Sequence, residues 1–180
     1  MNYRTEAVTM WFDRRIVMRK SSIQGIGTFA SEGIKAGEPL IWVTGGVVYT
    51  REDWQSGKVQ LDPDMYNEEA LPDNLRIATP KVFHYYINHS CDPNAIDQSR
   101  SATATQYVAW RDSSAQEEIT TDYGIYGGAT IDQCACKSPL CRGRVTPNDW
   151  QLPDVQQRYR GYFPWRFEQL IDQAPQPEET

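Results

Sequence analysis

Three of the four cysteines stand within eight residues, in "CACKSPLC", and the fourth, Cys91, lies far upstream. This cluster constrains the fold more than any other feature. In a chain without signs of secretion, such spacing reads as metal or redox chemistry before disulfides. C-x-C-x-x-x-x-C offers three thiolates from one loop: Cys134, Cys136 and Cys141. A structural zinc site is tetrahedral, with four ligands and zinc–sulfur bonds of about 2.3 Å. Cys91 completes an all-cysteine set by count, and His84 or His89, the two histidines of the chain, could replace it. A redox role is weaker, because C-x-x-C is absent. If a metal binds, its fourth ligand folds the loop back onto the body of the protein.

That body has to be small. The chain has 180 residues and is 39% hydrophobic, which suits one compact domain with its own core. The formal net charge is −6 and the isoelectric point about 4.9. Broad binding to nucleic acid or to anionic membrane needs basic clusters, so neither is expected. The charge suits a basic partner such as a lysine-rich protein segment, and it equally suits plain solubility. No apolar run approaches a membrane-spanning length, and "MNYRTEAVTMWFDRR" lacks the apolar core and cleavage site of a signal peptide. The expected location is cytoplasmic or otherwise intracellular, associated with nucleoid or nucleus if the substrate is chromatin.

Between Arg14 and Thr50, short β-rich stretches alternate with glycine turns. Strands are expected at Ile16 to Arg19, Gly27 to Ala30 and Pro39 to Tyr49, then in "SATATQYVAWRD" and "EEITTDYG" around a turn at Asp112 to Gln116. Residues 1–11 read as a loosely docked start. "REDWQSGK" starts a short helix, and the rest of residues 51–80 reads as loop with fragments of structure. "LPDVQQRYRGYFPWRFEQLIDQ" has helical spacing, with Pro153 near a start and Gly161 and Pro164 as breaks, so two short helices are expected.

Taken alone, the remaining signals are modest. "GIG" is a turn that would let a ligand approach backbone closely, but no helix pattern follows it, so it is not a dinucleotide fingerprint. Tyr123 ends a β-rich run, where packing is the commoner role. No G-x-S-x-G elbow is present. A nucleophilic Cys91–His89 pair needs a regular strand, and Pro93 argues against one.

The order of these signals is more informative. "GIGTFASEGIKAGEPL", "YINHSCDPNA", "EEITTDYG" and "CACKSPLCRG" occur in succession, and together they resemble a SET domain followed by a post-SET zinc loop. The resemblance spans roughly Ile16 to Gly143, and the ending "DWQLPDVQQRYRGYF" looks like that of small bacterial members. It implies a mainly β, β-clip-like fold of small curved sheets with short helices and a knot-like core, where the "NHSC" and "DYG" segments pass each other. The implied organisation is a SET domain over 12–130, a post-SET loop over 131–145, a helical cap over 146–173 and a disordered tail over 174–180.

The resemblance also implies an activity: transfer of methyl groups from S-adenosylmethionine to a lysine amine of a protein substrate. Gly25, Ile26 and Gly27 would offer backbone to the cofactor. Asn88 and His89 would hold its amino-acid and adenine parts, with Tyr85 and Tyr86 alongside. Tyr123 would be the active-site tyrosine, and Cys91, Cys134, Cys136 and Cys141 would share one structural zinc. Two positions depart from the family pattern. Thr121 stands where many members carry an aromatic residue, which suggests room for di- or trimethylation unless other side chains refill the space. Tyr85 replaces a usual arginine, so that cofactor contact would be remodelled. A silent SET-fold binding module, or an enzyme acting on a non-histone peptide or a small amine, are the alternatives. Oligomeric state is not legible.

Overall fold

The structure, a computed structural model, describes residues 4–62, 64, 66–70, 74–81, 83–99, 104–127 and 130–173. Among the described residues, ten strands form two sheets. The smaller holds β2 (Ile16–Lys20), β3 (Ile26–Ala30), β7 (Asn88–His89) and β10 (Glu118–Thr121), in the order β2-β3-β10-β7. The larger runs β5 (Tyr66–Ala70), β6 (Leu75–Pro80), β4 (Pro39–Thr50), β9 (Ala104–Ala109), β8 (Ala95–Asp97), with β1 (Arg4–Phe12) also on β4.

The long β4 organises the larger sheet. One of its edges pairs with β1 from Ile41 to Val48. The other pairs with β9 up to Thr44 and with β6 from Val47. The change of partner falls at Gly45–Gly46, with φ of +84° and +139°. A Cβ on Gly46 would meet the Ala78 carbonyl oxygen at 2.6 Å, so the switch needs glycine for both torsion and space.

Ile16 and Ala30 from the small sheet, Leu40, Ile41 and Val43 from β4, and Ile87 and Ile119 share one buried cluster. That shared core holds the two sheets together, since burying such side chains is the main favourable term in folding. A second cluster joins Ile96 and Val108, cross-strand partners in β8 and β9, to Val155, Tyr159, Phe163 and Phe167. These last four belong to or flank α2 (Pro153–Tyr159) and α3 (Trp165–Gln173). Pro153 at the first helical position needs no hydrogen bond for its nitrogen, which suits a helix start. The two short helices expected there are present, whereas the expected tail over 174–180 lies outside the described residues.

The three strands expected before residue 50 appear within a residue of their anticipated ends, β9 and β10 lie inside the stretches "SATATQYVAWRD" and "EEITTDYG", and the helix after Thr50 forms as α1 (Arg51–Gln55) with a Thr50–Asp53 capping box. Two readings are corrected. The start of the chain is not loosely docked: Arg4–Phe12 is a strand, because the exposed edge of β4 gives it a partner. Residues 66–70 and 75–80 are not loop but the antiparallel pair β5 and β6, with Tyr66 opposite Pro80 and Ala70 opposite Arg76. Ile77 and Ala78 are buried there, but "YNEEA" carries no apolar alternation that would have marked the pair.

Candidate active site and metal centre

β7 is two residues long, yet it places most of the site. It pairs in parallel with β10, Asn88 beside Thr120 and His89 beside Thr121. The "NHSC" and "DYG" segments thus run side by side, as expected. The turn entering β3 closes the other flank, because β3 pairs with β10 as well.

Asn88 ties these pieces together. Its Nδ2 lies 3.1 Å from the Gln24 carbonyl, 3.2 Å from the Ile26 carbonyl and 2.7 Å from Glu118 Oε1. Glu118 Oε2 accepts from the Ser21 hydroxyl at 2.8 Å. Glu118 presses against Gly27: a Cβ there would run into its carboxylate, with Cδ at 2.8 Å, and would lie 3.1 Å from Asn88 Nδ2. A side chain at 27 would have to displace this carboxylate.

His89 is 3% exposed, and both of its ring nitrogens are used within the protein. Nδ1 accepts the Tyr123 backbone N–H at 3.1 Å. The ring proton therefore sits on Nε2, which faces Cys91 Sγ at 3.3 Å. Burial holds the imidazole below its ordinary pKa, against the opposing pull of Asp122, so the ring is neutral. One histidine thus touches both the tyrosine segment and the thiol cluster.

Tyr123 follows β10 in a 3-10 turn over Tyr123–Ile125, capped by the Asp122 side chain. Its hydroxyl donates to the Ile87 carbonyl at 2.8 Å. Burial pushes its pKa up to about 12, so it stays protonated at neutral pH. A cavity of about 210 Å³ opens between Tyr123, His89, Ile23, Gln24 and the cysteine loop, which contributes Ile131, Gln133, Cys134 and Ala135. Tyr85 and Tyr86 are not among its lining residues. Tyr85 is exposed, and the Lys81 ammonium stands 4.6 Å from its ring centre, so a cation remains close to where the family pattern has its arginine. Thr121 is buried, with its hydroxyl 2.6 Å from that of Tyr126. The phenol of Tyr126 therefore stands against Thr121, in space an aromatic residue at 121 would need.

The four cysteines converge although 43 residues separate Cys91 from Cys134. Their sulfurs all lie within 4.8 Å of one another, and Cys91 and Cys134 are 4.0 Å apart. A tetrahedron with 2.3 Å bonds has edges of about 3.8 Å, so the donor set fits one metal ion. Burial pushes the Cys91 thiol up well beyond its usual range and Cys134 to about 11. Burial also raises Cys136, but hydrogen bonds from the Cys91 and Ser138 backbone and from the Cys134 and Cys141 side chains together outweigh it and bring that thiol to about 7. One thiolate forms readily, and a cation is what would stabilise the others as anions. Neither His84 nor His89 is part of the group.

Sequence reasoning missed a buried network beside this loop: Asp122, Arg142, Asp149 and Tyr159, joined by hydrogen bonds of 2.6 to 3.2 Å. It also missed Glu118. Charged residues flanking motifs look like solvated surface in a sequence, and only the fold shows Asp122 and Asp149 buried and Arg142 and Glu118 partly so.

A short parallel pair within the smaller sheet, with a thiol-bearing loop closing a tyrosine-walled cavity, defines a domain of one recognisable kind. The SET domain family matches residues 25–124, and the chain belongs to that family. The histone-lysine N-methyltransferase TRX1 of Oryza sativa subsp. japonica is 30% identical over 145 residues, covering 74% of this chain and 14% of that protein. The histone-lysine N-methyltransferase ATX2 of Arabidopsis thaliana is 32% identical over 159 residues, covering 81% and 14%. The histone-lysine N-methyltransferase set9 of Aspergillus terreus is 34% identical over 127 residues, covering 67% and 19%. The chain thus spans less than a fifth of the length of each of these relatives.

Proposed function

We propose that this protein is an S-adenosylmethionine-dependent protein-lysine N-methyltransferase with one structural zinc. The observation that carries the reading is the placement of Tyr123, at a cavity walled by the β3 turn, β7 and the cysteine loop. The similar relatives, named as histone-lysine N-methyltransferases, support it. A lysine-containing protein is the proposed partner, and the net charge of −6 complements a basic segment.

S-adenosylmethionine would supply an electrophilic methyl on a sulfonium centre, so the protein need offer no nucleophile. The residues proposed to hold it are Gly25, Ile26, Gly27, Tyr85, Tyr86, Asn88 and His89. The work left to the chain is positioning, which can supply much of a rate enhancement. Tyr123 is protonated throughout the neutral range, so it is an orienting group and not a general base. Its proton is committed to the Ile87 carbonyl, which leaves the oxygen lone pairs free to face an amine. The side chains of Ile23 and Ile131 supply an apolar part of the cavity wall. Such a wall favours the neutral, nucleophilic form of a lysine held against it.

The test is transfer of labelled methyl from S-adenosylmethionine to lysine-rich protein. Tyr123→Phe is expected to lower turnover about 100-fold, the scale of a misplaced reactant, with cofactor affinity unchanged. Full activity in that variant would remove the role given to Tyr123. If calorimetry detects no cofactor binding to the wild-type protein, the enzyme reading fails and a binding module remains.

A further inference from the structure

Arg142 comes directly after the last cysteine of the loop and reaches three parts of the molecule. Its backbone N–H donates to Cys91 Sγ at 3.4 Å. Its guanidinium forks onto Asp122, Nη1 to Oδ2 at 2.8 Å and Nη2 to Oδ1 at 2.6 Å. Its Nε donates to Asp149 Oδ2 at 2.9 Å. Asp122 is fully buried, and the side chains of Arg142 and Asp149 are 12% and 7% exposed. This is not a surface ion pair that solvent screens away.

What Arg142 holds is the platform under Tyr123. Asp122 Oδ1 accepts the Gly124 N–H at 2.9 Å and so caps the turn that carries the tyrosine. The Tyr159 hydroxyl donates to Asp122 Oδ2 at 3.2 Å, which brings α2 into the same network. Room for the guanidinium comes from Gly124, where a Cβ would stand 2.7 Å from Nη2 and 2.9 Å from the Asp149 Cβ. From the same helix, Arg158 Nη1 donates to the Cys91 carbonyl at 2.7 Å. The thiol loop and the tyrosine turn therefore share one side chain.

We propose that Arg142 is a positioning residue that couples the seating of the zinc loop to the orientation of Tyr123. The planar fork is essential to this role, because a lysine ammonium cannot satisfy both Asp122 oxygens and Asp149 from one position. The charge also balances two buried carboxylates, which would otherwise face each other without a cation. For its turnover arm the inference rests on the methyltransferase reading; its metal arm does not.

Arg142→Lys keeps the charge and removes the fork. Arg144→Met is the control, since Arg144 lies in the same loop and only forms an exposed pair with Asp132 at 3.3 Å. Two readouts are taken on zinc-loaded protein: the rate of zinc release to a chromophoric chelator, and turnover per cofactor-binding site counted by calorimetry. Counting sites corrects for any loss of folded protein. Arg142→Lys is expected to release zinc about 10-fold faster and to lower kcat about 10-fold or more, the range for residues that support a metal ligand. KM for the protein substrate should stay within about 3-fold, because the fork binds Asp122 and not the substrate. Asp149→Asn, which spares the Asp122 fork, should give a smaller effect of the same kind. Release and kcat at wild-type values in Arg142→Lys, a loss confined to KM, or an equal loss in Arg144→Met would each overturn the proposal. If the wild-type protein transfers no methyl at all, the methyltransferase reading fails instead. The release rates then decide alone: faster zinc loss in Arg142→Lys than in Arg144→Met supports the coupling, and equal rates refute it.

Discussion

Gly27 shows how one missing side chain shapes the site. Its open space is filled by the Glu118 carboxylate, which is itself held by Ser21 and Asn88. A methyl at 27 has no torsional conflict to overcome, since this glycine is not among those with positive φ. Its cost is displacement of Glu118 and, through it, of the Asn88 amide from the Gln24 and Ile26 carbonyls. Gly27→Ala is therefore expected to fold, with stability within about 1 kcal/mol of wild type. Cofactor affinity should fall about 10-fold, the equivalent of about 1.4 kcal/mol. Calorimetric titration beside a urea denaturation curve separates the two quantities. Unchanged affinity would show that Glu118 yields without moving Asn88. None of this was legible in "GIG" alone, where a turn was the better reading, because the carboxylate that needs the space comes from residue 118.

Among the elements, the cysteine loop stands out for its length without a core. Between Asp132 and Arg144 no residue is buried. The loop is pinned at its base by reciprocal backbone hydrogen bonds of 2.9 Å between Ile131 and Val145, and by Cys134 N–H to the Gly143 carbonyl at 2.8 Å. The proposed metal and Arg142 would supply the rest of its order. Chelation is expected to open this loop before the sheets, because its opening exposes little apolar surface. Limited trypsin digestion should then cut after Lys137, Arg142 or Arg144 while the circular dichroism of the sheets persists, and Cys91→Ser should behave the same way without chelator. Simultaneous loss of both signals would show that the loop is part of the global folding unit. The thiol triplet was readable because its spacing is local, and "NHSC" and "DYG" because their wording is specific. β1 and the β5–β6 pair were not, because their order comes from edges of β4 and from each other. A strand such as "YNEEA" has no apolar face to announce it. Asp122, Arg142 and Asp149 were unreadable for a related reason: charge predicts exposure until a fold encloses it.

For the molecule as a whole, the buried His84 links stability to pH. It lies in the 3-10 turn Phe83–Tyr86, just before β7, and is 8% exposed. Neither ring nitrogen has a hydrogen-bond partner among the described residues. Burial alone drives its pKa down from 6.5 to about 4, because a charged imidazole would lose its water without gaining a counterion. Above pH 6.5 the ring is neutral in both folded and unfolded chains and contributes no pH dependence. As the pH falls from 6.5 towards 4, the unfolded chain binds a proton that the folded chain refuses, so stability declines across that window. The full effect is about 3 kcal/mol, of which about 2 kcal/mol falls between about pH 7 and pH 5. Metal loss and carboxylate protonation also act in acid, so wild-type protein alone does not isolate His84. The comparison is with His84→Leu, which fills similar volume and cannot charge. Urea denaturation of both proteins at about pH 7 and pH 5 should show the wild type losing about 2 kcal/mol more than the variant. Equal losses would mean that His84 finds a proton acceptor when it charges, and that the turn before β7 opens to water without unfolding the sheets.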